Sequence, residues 1–183
     1  MASNEVRIIG GNWRGRKLVF PDRPDLRPTL GRVRETLFNW LRADVPGARC
    51  LDLFAGSGAL GFEALSRGAR EVTFVERDRR AAAALTANAE RLEAGERARI
   101  LCDRAERVLR RCAEPWDVIF VDPPFRDADL AAVLDAVAVA GALAGEGLIY
   151  VEAPRRAVLD LGAWRVVREG HAGDTRFGLL ATP

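Results

Sequence analysis

The chain has 183 residues, of which 49% are apolar, and its 28 basic and 26 acidic side chains leave a formal net charge of +2. This length predicts one domain that needs neither disulfides nor a structural metal, and the three cysteines form no C-x-x-C pair of the kind that binds zinc. Because no stretch reaches about 18 apolar residues and no signal pattern opens the chain, we expect a cytoplasmic protein with no membrane partner.

Basic residues are concentrated at the N-terminal end. Residues 1–50 contain ten Arg and Lys against five Asp and Glu, whereas residues 51–183 contain 18 against 21. This asymmetry predicts an anionic partner that contacts the N-terminal end of the chain.

The first predicted element is a β-hairpin over residues 6–20, with apolar strands at its two ends and glycines that supply turns between them. Basic side chains surround Trp13, and such a set can hold phosphates while the tryptophan stacks on a base. These side chains are Arg7, Arg14, Arg16 and Lys17. The same pattern also fits a solvated hairpin whose Trp13 docks on the rest of the domain.

A proline-rich loop over residues 21–28 leads into the first predicted helix. Thr29 stands at the position of a helix cap. The apolar residues that follow are spaced as one face of a helix, because Val33, Leu37 and Leu41 recur at intervals of four.

The stretch RCLDLFAGSGALG combines a short apolar strand, a glycine-rich turn and the start of a helix, which together open a nucleotide-binding α/β fold. Asp52 lies inside the strand, where a carboxylate suits a cationic amine better than a pyrophosphate. Gly56, Gly58 and Gly61 also satisfy G-x-G-x-x-G, and Glu76 follows 20 residues after Gly56. A dinucleotide site is therefore an open alternative.

Strands and helices alternate through the rest of the chain. We predict strands over residues 71–76, 98–102, 116–121 and 147–152, helices over 77–92, 104–111 and 128–140, and a closing antiparallel pair over 164–169 and 176–181. This alternation predicts an α/β fold whose parallel sheet has helices on both faces.

Acidic residues end four of the predicted parallel strands, namely Asp52, Glu76, Asp103 and Asp122. A single acid at such a position is often only a helix cap. Ligands, however, bind at the carboxyl edge of open α/β sheets. Four acids at successive strand ends therefore predict a ligand site there.

The motif Asp122-Pro123-Pro124-Phe125 follows the most apolar strand. Two prolines cannot continue a sheet, so the chain leaves it in a fixed turn. That turn would present the Asp122 carboxylate and the Pro123 carbonyl as paired acceptors and Phe125 as a flat stacking face. Such a set suits the exocyclic amine of a nucleobase, and the alternative is a purely structural turn.

Together these motifs resemble the class I S-adenosylmethionine-dependent methyltransferases that carry a (D/N)PP(F/Y) motif and methylate amino groups. The blocks RIIGGNWRGRKL, LRPT with RVRETLFNWL, LDLFAGSGALGFEALSRGA and FVDPPF resemble, more specifically, the bacterial small-subunit rRNA guanine-N2 methyltransferases of the RsmD type. The resemblance runs from residue 7 to about residue 178. This chain departs from the expected pattern at Leu30-Gly31, where a Thr-Asp pair is expected.

The resemblance implies a Rossmann-like fold with a seven-stranded, mostly parallel sheet, an antiparallel last strand and a small N-terminal β-hairpin. It implies a basic, RNA-binding hairpin extension over residues 1–28 and a methyltransferase domain over residues 29–183. The implied cofactor is S-adenosylmethionine, with Asp52 and its glycines at the methionine end, Glu76 at the ribose and Asp103 at the adenine. The full implied cofactor set is Asp52, Phe54, Gly56, Ser57, Gly58, Glu76, Arg77, Asp103, Arg104, Ala105, Thr29, Arg34 and Thr36.

The implied reaction is methyl transfer to the N2 amine of a guanine in 16S rRNA, without a metal. The implied catalytic residues are Asp122, Pro123, Pro124 and Phe125, and the implied RNA contacts are Arg7, Trp13, Arg14, Arg16, Lys17 and Arg27. The expected partner is 16S rRNA within a small-subunit particle, and the protein is expected to be a monomer. The alternatives are an adenine-N6 methyltransferase acting on DNA or RNA, a dinucleotide-dependent oxidoreductase and a non-catalytic RNA-binding factor.

Overall fold

The chain forms a small two-stranded sheet and a seven-stranded sheet in the computed structural model, which describes residues 3–22, 29–123, 129–157 and 161–182. Pro124 and Phe125 of the predicted catalytic turn, and Arg27 of the predicted RNA contacts, lie outside the described residues. The strands are β1 Ser3–Arg7, β2 Lys17–Pro21, β3 Arg49–Asp52, β4 Glu71–Val75, β5 Ala98–Leu101, β6 Trp116–Val121, β7 Leu143–Pro154, β8 Arg165–Ala172 and β9 Thr175–Ala181.

Five α-helices are described, and they connect or flank the strands of the large sheet. They are α1 Gly31–Trp40, α2 Ala59–Ser66, α3 Arg79–Arg91, α4 Ala105–Arg110 and α5 Leu130–Val139. No helix among the described residues is long and apolar enough to span a membrane.

The large sheet has the strand order β5-β4-β3-β6-β7-β9-β8. β9 runs antiparallel to both of its neighbours, and the pairs formed by β3 to β7 are all parallel. The predicted seven-stranded sheet with an antiparallel last strand is therefore confirmed. The order reverses between β3 and β6, and ligands of open α/β sheets bind at such a reversal point.

Apolar side chains alternate along the central strands and build a core on each face of the sheet. Cys50, Phe74 and Phe120 belong to one core together with residues of α1, α2 and α3. Leu51 and Ile119 belong to the other, with residues of α4 and α5. The parallel strands are thus buried on both faces, as expected where helices cover both sides.

The N-terminal hairpin, β1 and β2 with their connecting turn, packs into the first of these cores. Ile8 and Leu18 are almost completely buried, and Trp13 is 9% exposed. The backbone N–H of Trp13 donates to Ser66 Oγ over 2.9 Å. The Asn88 side chain accepts from the Val19 N–H and donates to the Val19 carbonyl. Removing the hairpin would therefore open the core.

The burial of Trp13 corrects one predicted RNA contact. The side chain is part of the core, and the Arg97 guanidinium lies 5.2 Å from the centre of its ring. Trp13 therefore has no open face on which a base could stack. The alternative interpretation of the hairpin, with Trp13 docked on the domain, is the one that the structure shows.

The predicted helix cap at Thr29 is wrong. α1 begins at Gly31, and Leu30 takes the cap position without a side-chain hydrogen bond. The Thr29 hydroxyl instead donates to Asp122 Oδ2 over 3.2 Å, across 93 residues of sequence. A threonine hydroxyl can serve either purpose, and the tertiary contact decides between them.

Candidate active site

The glycine-rich turn after β3 brings backbone close to the carboxyl end of the sheet. Gly56 and Gly58 have backbone φ angles of +50° and +78°, which residues that have a Cβ rarely adopt. A Cβ on Gly61 would lie 2.2 Å from the Phe74 ring, so this glycine is required for packing of α2 on β4. Of the other predicted contacts in the turn, Phe54 is half-buried and Ser57 is buried.

Asp52 lies at the base of this turn and is only 3% exposed. Its Oδ2 accepts a hydrogen bond of 3.0 Å from the Gly61 N–H. Burial raises the pKa of Asp52 to about 7, against the effect of the Gly61 bond, and the negative charge of Glu76 raises it further. A cationic ligand group at this carboxylate would offset the energy lost on burying it.

Glu76, directly after β4, is fixed in place by two backbone donors. Its Oε2 accepts from the Gly56 N–H over 2.9 Å and its Oε1 from the Asp78 N–H over 2.8 Å. Each carboxylate oxygen has a further lone pair, so Glu76 can still accept from hydroxyl groups of a ligand. Arg77 follows it and is exposed.

Asp103 follows β5 and is partly exposed beside two arginines. Its Oδ1 accepts from the Arg104 N–H over 2.8 Å, and the guanidinium groups of Arg107 and Arg111 lie 3.7 and 3.6 Å from its carboxylate. Ala105 is buried at the start of α4. The strand end therefore offers a carboxylate, as predicted, with cations on its outer side.

Asp122 follows β6 and faces a second buried carboxylate. Burial raises the pKa of Asp122 well above its usual range, and the negative charge of Glu152 raises it further, against the Thr29 hydrogen bond. Glu152 is 8% exposed and accepts from the Tyr150 hydroxyl over 2.9 Å. Burial also raises the pKa of Glu152. Pro123 is buried directly after Asp122.

Glu152 and Tyr150 were not among the predicted residues of this site. A signal was available, because Glu152 is the last residue of the strand that we predicted over 147–152. The rule that selected the other four acids, an acidic residue at the end of a parallel strand, also applies to it.

Arg34, one of the predicted cofactor contacts, is buried and hydrogen-bonded within the protein. Its side chain is 3% exposed and its Nη1 donates to the Arg7 carbonyl, while its Nε donates to the Thr29 carbonyl. Burial lowers the pKa of Arg34, opposed by the charge of Glu63. Arg34 therefore positions Thr29, which in turn holds Asp122. The Thr36 hydroxyl bonds the Arg32 carbonyl within α1.

The remaining predicted RNA contacts on the hairpin, Arg7, Arg14, Arg16 and Lys17, are exposed. Arg7 and Arg16 donate to backbone carbonyls, and Lys17 forms an ion pair of 2.7 Å with Glu5. These charges are accessible to an anionic partner.

The ends of β3, β4, β5 and β6 thus carry carboxylates on four neighbouring loops. Such a set of acceptors fits a ligand that presents a cationic amine, hydroxyl groups and an amino group, and it is unfavourable for a pyrophosphate. Among the described residues there is no group of three or more His, Cys, Asp or Glu side chains that could hold a metal ion.

Comparison with known proteins assigns the chain to a family. Residues 6–181 match the model of the family described as conserved hypothetical protein 95. The chain belongs to this family. It is 48% identical over 179 residues to Ribosomal RNA small subunit methyltransferase D of Escherichia coli K12, which covers 97% of the chain and 90% of that relative. The protein of the same name from Haemophilus influenzae is 40% identical over 182 residues, 97% of the chain and 94% of the relative.

Solved structures agree with this assignment. The Escherichia coli protein yhhF superposes with a TM-score of 0.86 at 45% identity, over 98% of both chains. A Podospora anserina methyltransferase bound to SAH shares the fold at 21% identity, with a TM-score of 0.55 over 67% of this chain and 53% of the other. The resemblance to the RsmD-type family and the Rossmann-like methyltransferase fold are both confirmed.

Proposed function

We propose that the protein transfers a methyl group from S-adenosylmethionine to the N2 amine of a guanine in 16S ribosomal RNA. The observation that carries the proposal is the placement of Asp122. Thr29 holds its carboxylate at the end of β6, and β6 pairs directly with β3, whose end carries Asp52 and the glycine-rich turn. The names of the curated relatives support an rRNA substrate.

The carboxylates at the strand ends fit S-adenosylmethionine, which when bound supplies a methyl carbon activated by its sulfonium. Asp52 would face the cationic amine, and its ionised form would be stabilised by that charge. Glu76, already fixed by two N–H donors, would accept from the ribose hydroxyls. Asp103 would accept from the adenine amine.

Asp122 and the Pro123 carbonyl would accept the two hydrogens of the guanine amine. The lone pair of that amine is delocalised into the ring, and two acceptors in fixed positions orient it toward the methyl carbon. In the transfer that we propose, the carbon–sulfur bond would break as the N2–carbon bond forms, and its electron pair would stay on sulfur. The ionised carboxylate of Asp122 would take the proton that N2 loses, and the raised pKa of Asp122 makes that ionised form a stronger base than an ordinary aspartate.

The substrate is tested with unmethylated small-subunit particles and naked 16S rRNA, each incubated with methyl-labelled S-adenosylmethionine and then digested to nucleosides. We expect N2-methylguanosine. Labelled N6-methyladenosine would instead establish the adenine alternative. A protein that does not bind S-adenosylmethionine in a calorimeter would contradict the proposal altogether.

The role of Asp122 is tested by single-turnover methylation at saturating cofactor. Asp122→Ala should lower the rate by about 100-fold or more, the effect of losing one preorganised contact to the transition state, and should leave cofactor affinity unchanged. Asp122→Asn should be as slow, because an amide cannot take the proton; substantial activity would instead make Asp122 only an acceptor. The control is Asp117→Asn, an exposed position at the other end of β6.

A further inference from the structure

Glu152 and Asp122 lie side by side at the carboxyl edge of the sheet. β6 and β7 are parallel and pair Phe120 with Tyr150 and Val121 with Val151. One residue further along the chain are Asp122, which directly follows β6, and Glu152, which is on β7. Burial raises the pKa of both carboxyls, and the negative charge of Glu152 raises the pKa of Asp122 further.

A structural role alone does not account for Glu152. The side chain is 8% exposed and accepts from the Tyr150 hydroxyl, and within the described part of the chain it forms no ion pair with Lys or Arg. An apolar side chain at such a position would fold at least as well, because a buried charge without a cation is destabilising. The second carboxylate therefore indicates a donor on the ligand.

The Tyr150 hydroxyl gives this carboxylate a fixed orientation. Tyr150 itself is completely buried on β7, where its ring lies 6.4 Å from that of Phe120 on the neighbouring strand. A carboxylate held by a rigid neighbour can discriminate between ligands, because it cannot turn away from an unfavourable group.

We propose that Glu152 is the residue that selects guanine, by accepting the N1–H of the base whose N2 amine is held by Asp122. This inference rests on the proposed methyltransferase function. Guanine presents N1–H and the N2 amine as adjacent donors, which two adjacent carboxylates match. Adenine and cytosine present their amine beside an unprotonated ring nitrogen, whose lone pair would face the Glu152 carboxylate.

The experiment compares guanine with 2-aminopurine at the methylated position. 2-Aminopurine keeps the 2-amino group but has no proton on N1. The substrate is 16S rRNA ligated around a synthetic segment that carries either base at the position mapped by nucleoside analysis. Wild-type protein should methylate guanine at least about tenfold faster than 2-aminopurine, the discrimination expected of one specific base contact.

Glu152→Gln should bring this ratio close to one, because the side-chain amide can accept from N1–H or donate to an unprotonated N1. Tyr150→Phe, which keeps the buried ring and removes the hydroxyl, should lower the ratio in part. The matched control is Glu146→Gln, an exposed position on the same strand, which should keep the wild-type ratio. Calorimetric binding of S-adenosylmethionine shows that each variant is folded.

An unchanged ratio in a folded Glu152→Gln protein, which includes an equal loss of rate on both bases, would overturn the inference. A wild-type protein that methylates 2-aminopurine as fast as guanine would overturn it as well. Failure of the wild-type protein to methylate guanine at all would instead contradict the proposed function, so the two failures are distinguishable.

Discussion

Buried carboxylates occur in two regions of the molecule, and their surroundings differ. The first region is the Glu63 cluster, in which the side chain of Glu63 on α2 is completely buried. It accepts from the Ile9 and Gly10 N–H groups, each over 2.8 Å, and from Arg67 Nε over 2.7 Å. Arg34 Nη1 lies 3.6 Å away. Its charge is thus matched by two cations and two backbone donors.

The second region is the carboxyl edge of the sheet, where Asp52, Asp122 and Glu152 are held. Among the residues that the structure describes, each accepts one hydrogen bond, from Gly61, Thr29 and Tyr150 respectively. No ion pair to any of the three is recorded within the described ranges. Negative charges therefore face one another, and burial raises the pKa of all three acids.

The contrast separates a carboxylate that serves structure from the carboxylates that we propose serve function. The Glu63 cluster joins the N-terminal hairpin to α2, and all of its oxygens are used within the protein. The edge acids keep acceptor capacity and unfavourable charge, which a ligand with donors and a cation can relieve. Retained electrostatic strain of this kind is a mark of functional sites.

The largest expected effect comes from breaking the Glu63 cluster. Glu63→Gln leaves the buried Arg34 without its counter-charge and should lower the free energy of unfolding by about 3–5 kcal/mol. Chemical denaturation measures this change. Glu5→Gln is the control, since Glu5 forms an exposed ion pair with Lys17 on the hairpin, and it should leave the midpoint nearly unchanged. If Glu5→Gln lowered the free energy of unfolding as much as Glu63→Gln, the Glu63 cluster would not have the structural role that the comparison gives it.

The edge acids should behave in the opposite way, and Asp52→Asn tests this through pH. A carboxyl whose pKa rises from 3.8 in the unfolded chain to about 7 in the folded protein destabilises the fold as pH rises through that window. From about pH 5 to about pH 8 the wild-type protein should lose roughly 2–3 kcal/mol that Asp52→Asn does not lose. The ligand-free variant should thus be the more stable protein at about pH 8.

Thermal unfolding of both proteins across this pH range measures the difference. Parallel pH profiles would mean that Asp52 titrates normally in the folded state. The variant should also bind S-adenosylmethionine more weakly, which separates the functional from the structural contribution of this side chain.

A smaller effect is expected at Glu76. Like Glu63 it accepts from two backbone N–H groups, and like the edge acids it has acceptor capacity left for a ligand. Glu76→Ala removes the proposed ribose acceptor and the partner of the Gly56 and Asp78 N–H groups, and should weaken cofactor binding by about 1–3 kcal/mol. Titration calorimetry gives the value. Glu71→Ala changes an acid at the opposite end of β4, bonded to Arg49, and should leave the affinity unchanged. An unchanged affinity in Glu76→Ala would exclude the ribose contact.

The smallest effect is expected on the hairpin surface. Arg14 is exposed beside the buried Trp13. Arg14→Ala should therefore reduce the magnitude of the slope of log K against log salt for rRNA binding by about one, and it should leave the stability of the fold unchanged. Filter binding at several salt concentrations measures the slope. Arg110→Ala is the control, since α4 packs on the other face of the sheet from the hairpin. An equal slope change in Arg14→Ala and Arg110→Ala would mean that the hairpin is not the specific RNA-binding surface.

Local sequence patterns determined the order of strands and helices, the glycine-rich turn and the acids at four strand ends. These features depend on residues close together in the chain, since the hydrophobic period and the backbone freedom of glycine act over a few residues. The strand over 116–121 was predicted with the bounds that the structure has. The seven-stranded sheet was inferred from family resemblance and is confirmed.

Only the tertiary structure decided which polar groups meet. Thr29 reaches Asp122 across 93 residues, and Glu63 reaches Ile9 across 54. The pairing of β6 with β7 places Glu152 beside Asp122, and the docking of the hairpin buries Trp13. The type of these residues allows several roles, such as helix cap, base-stacking platform or ligand contact. The role taken depends on which distant partner removes the side chain from water, because a buried polar group is stable only with its hydrogen-bond partner present.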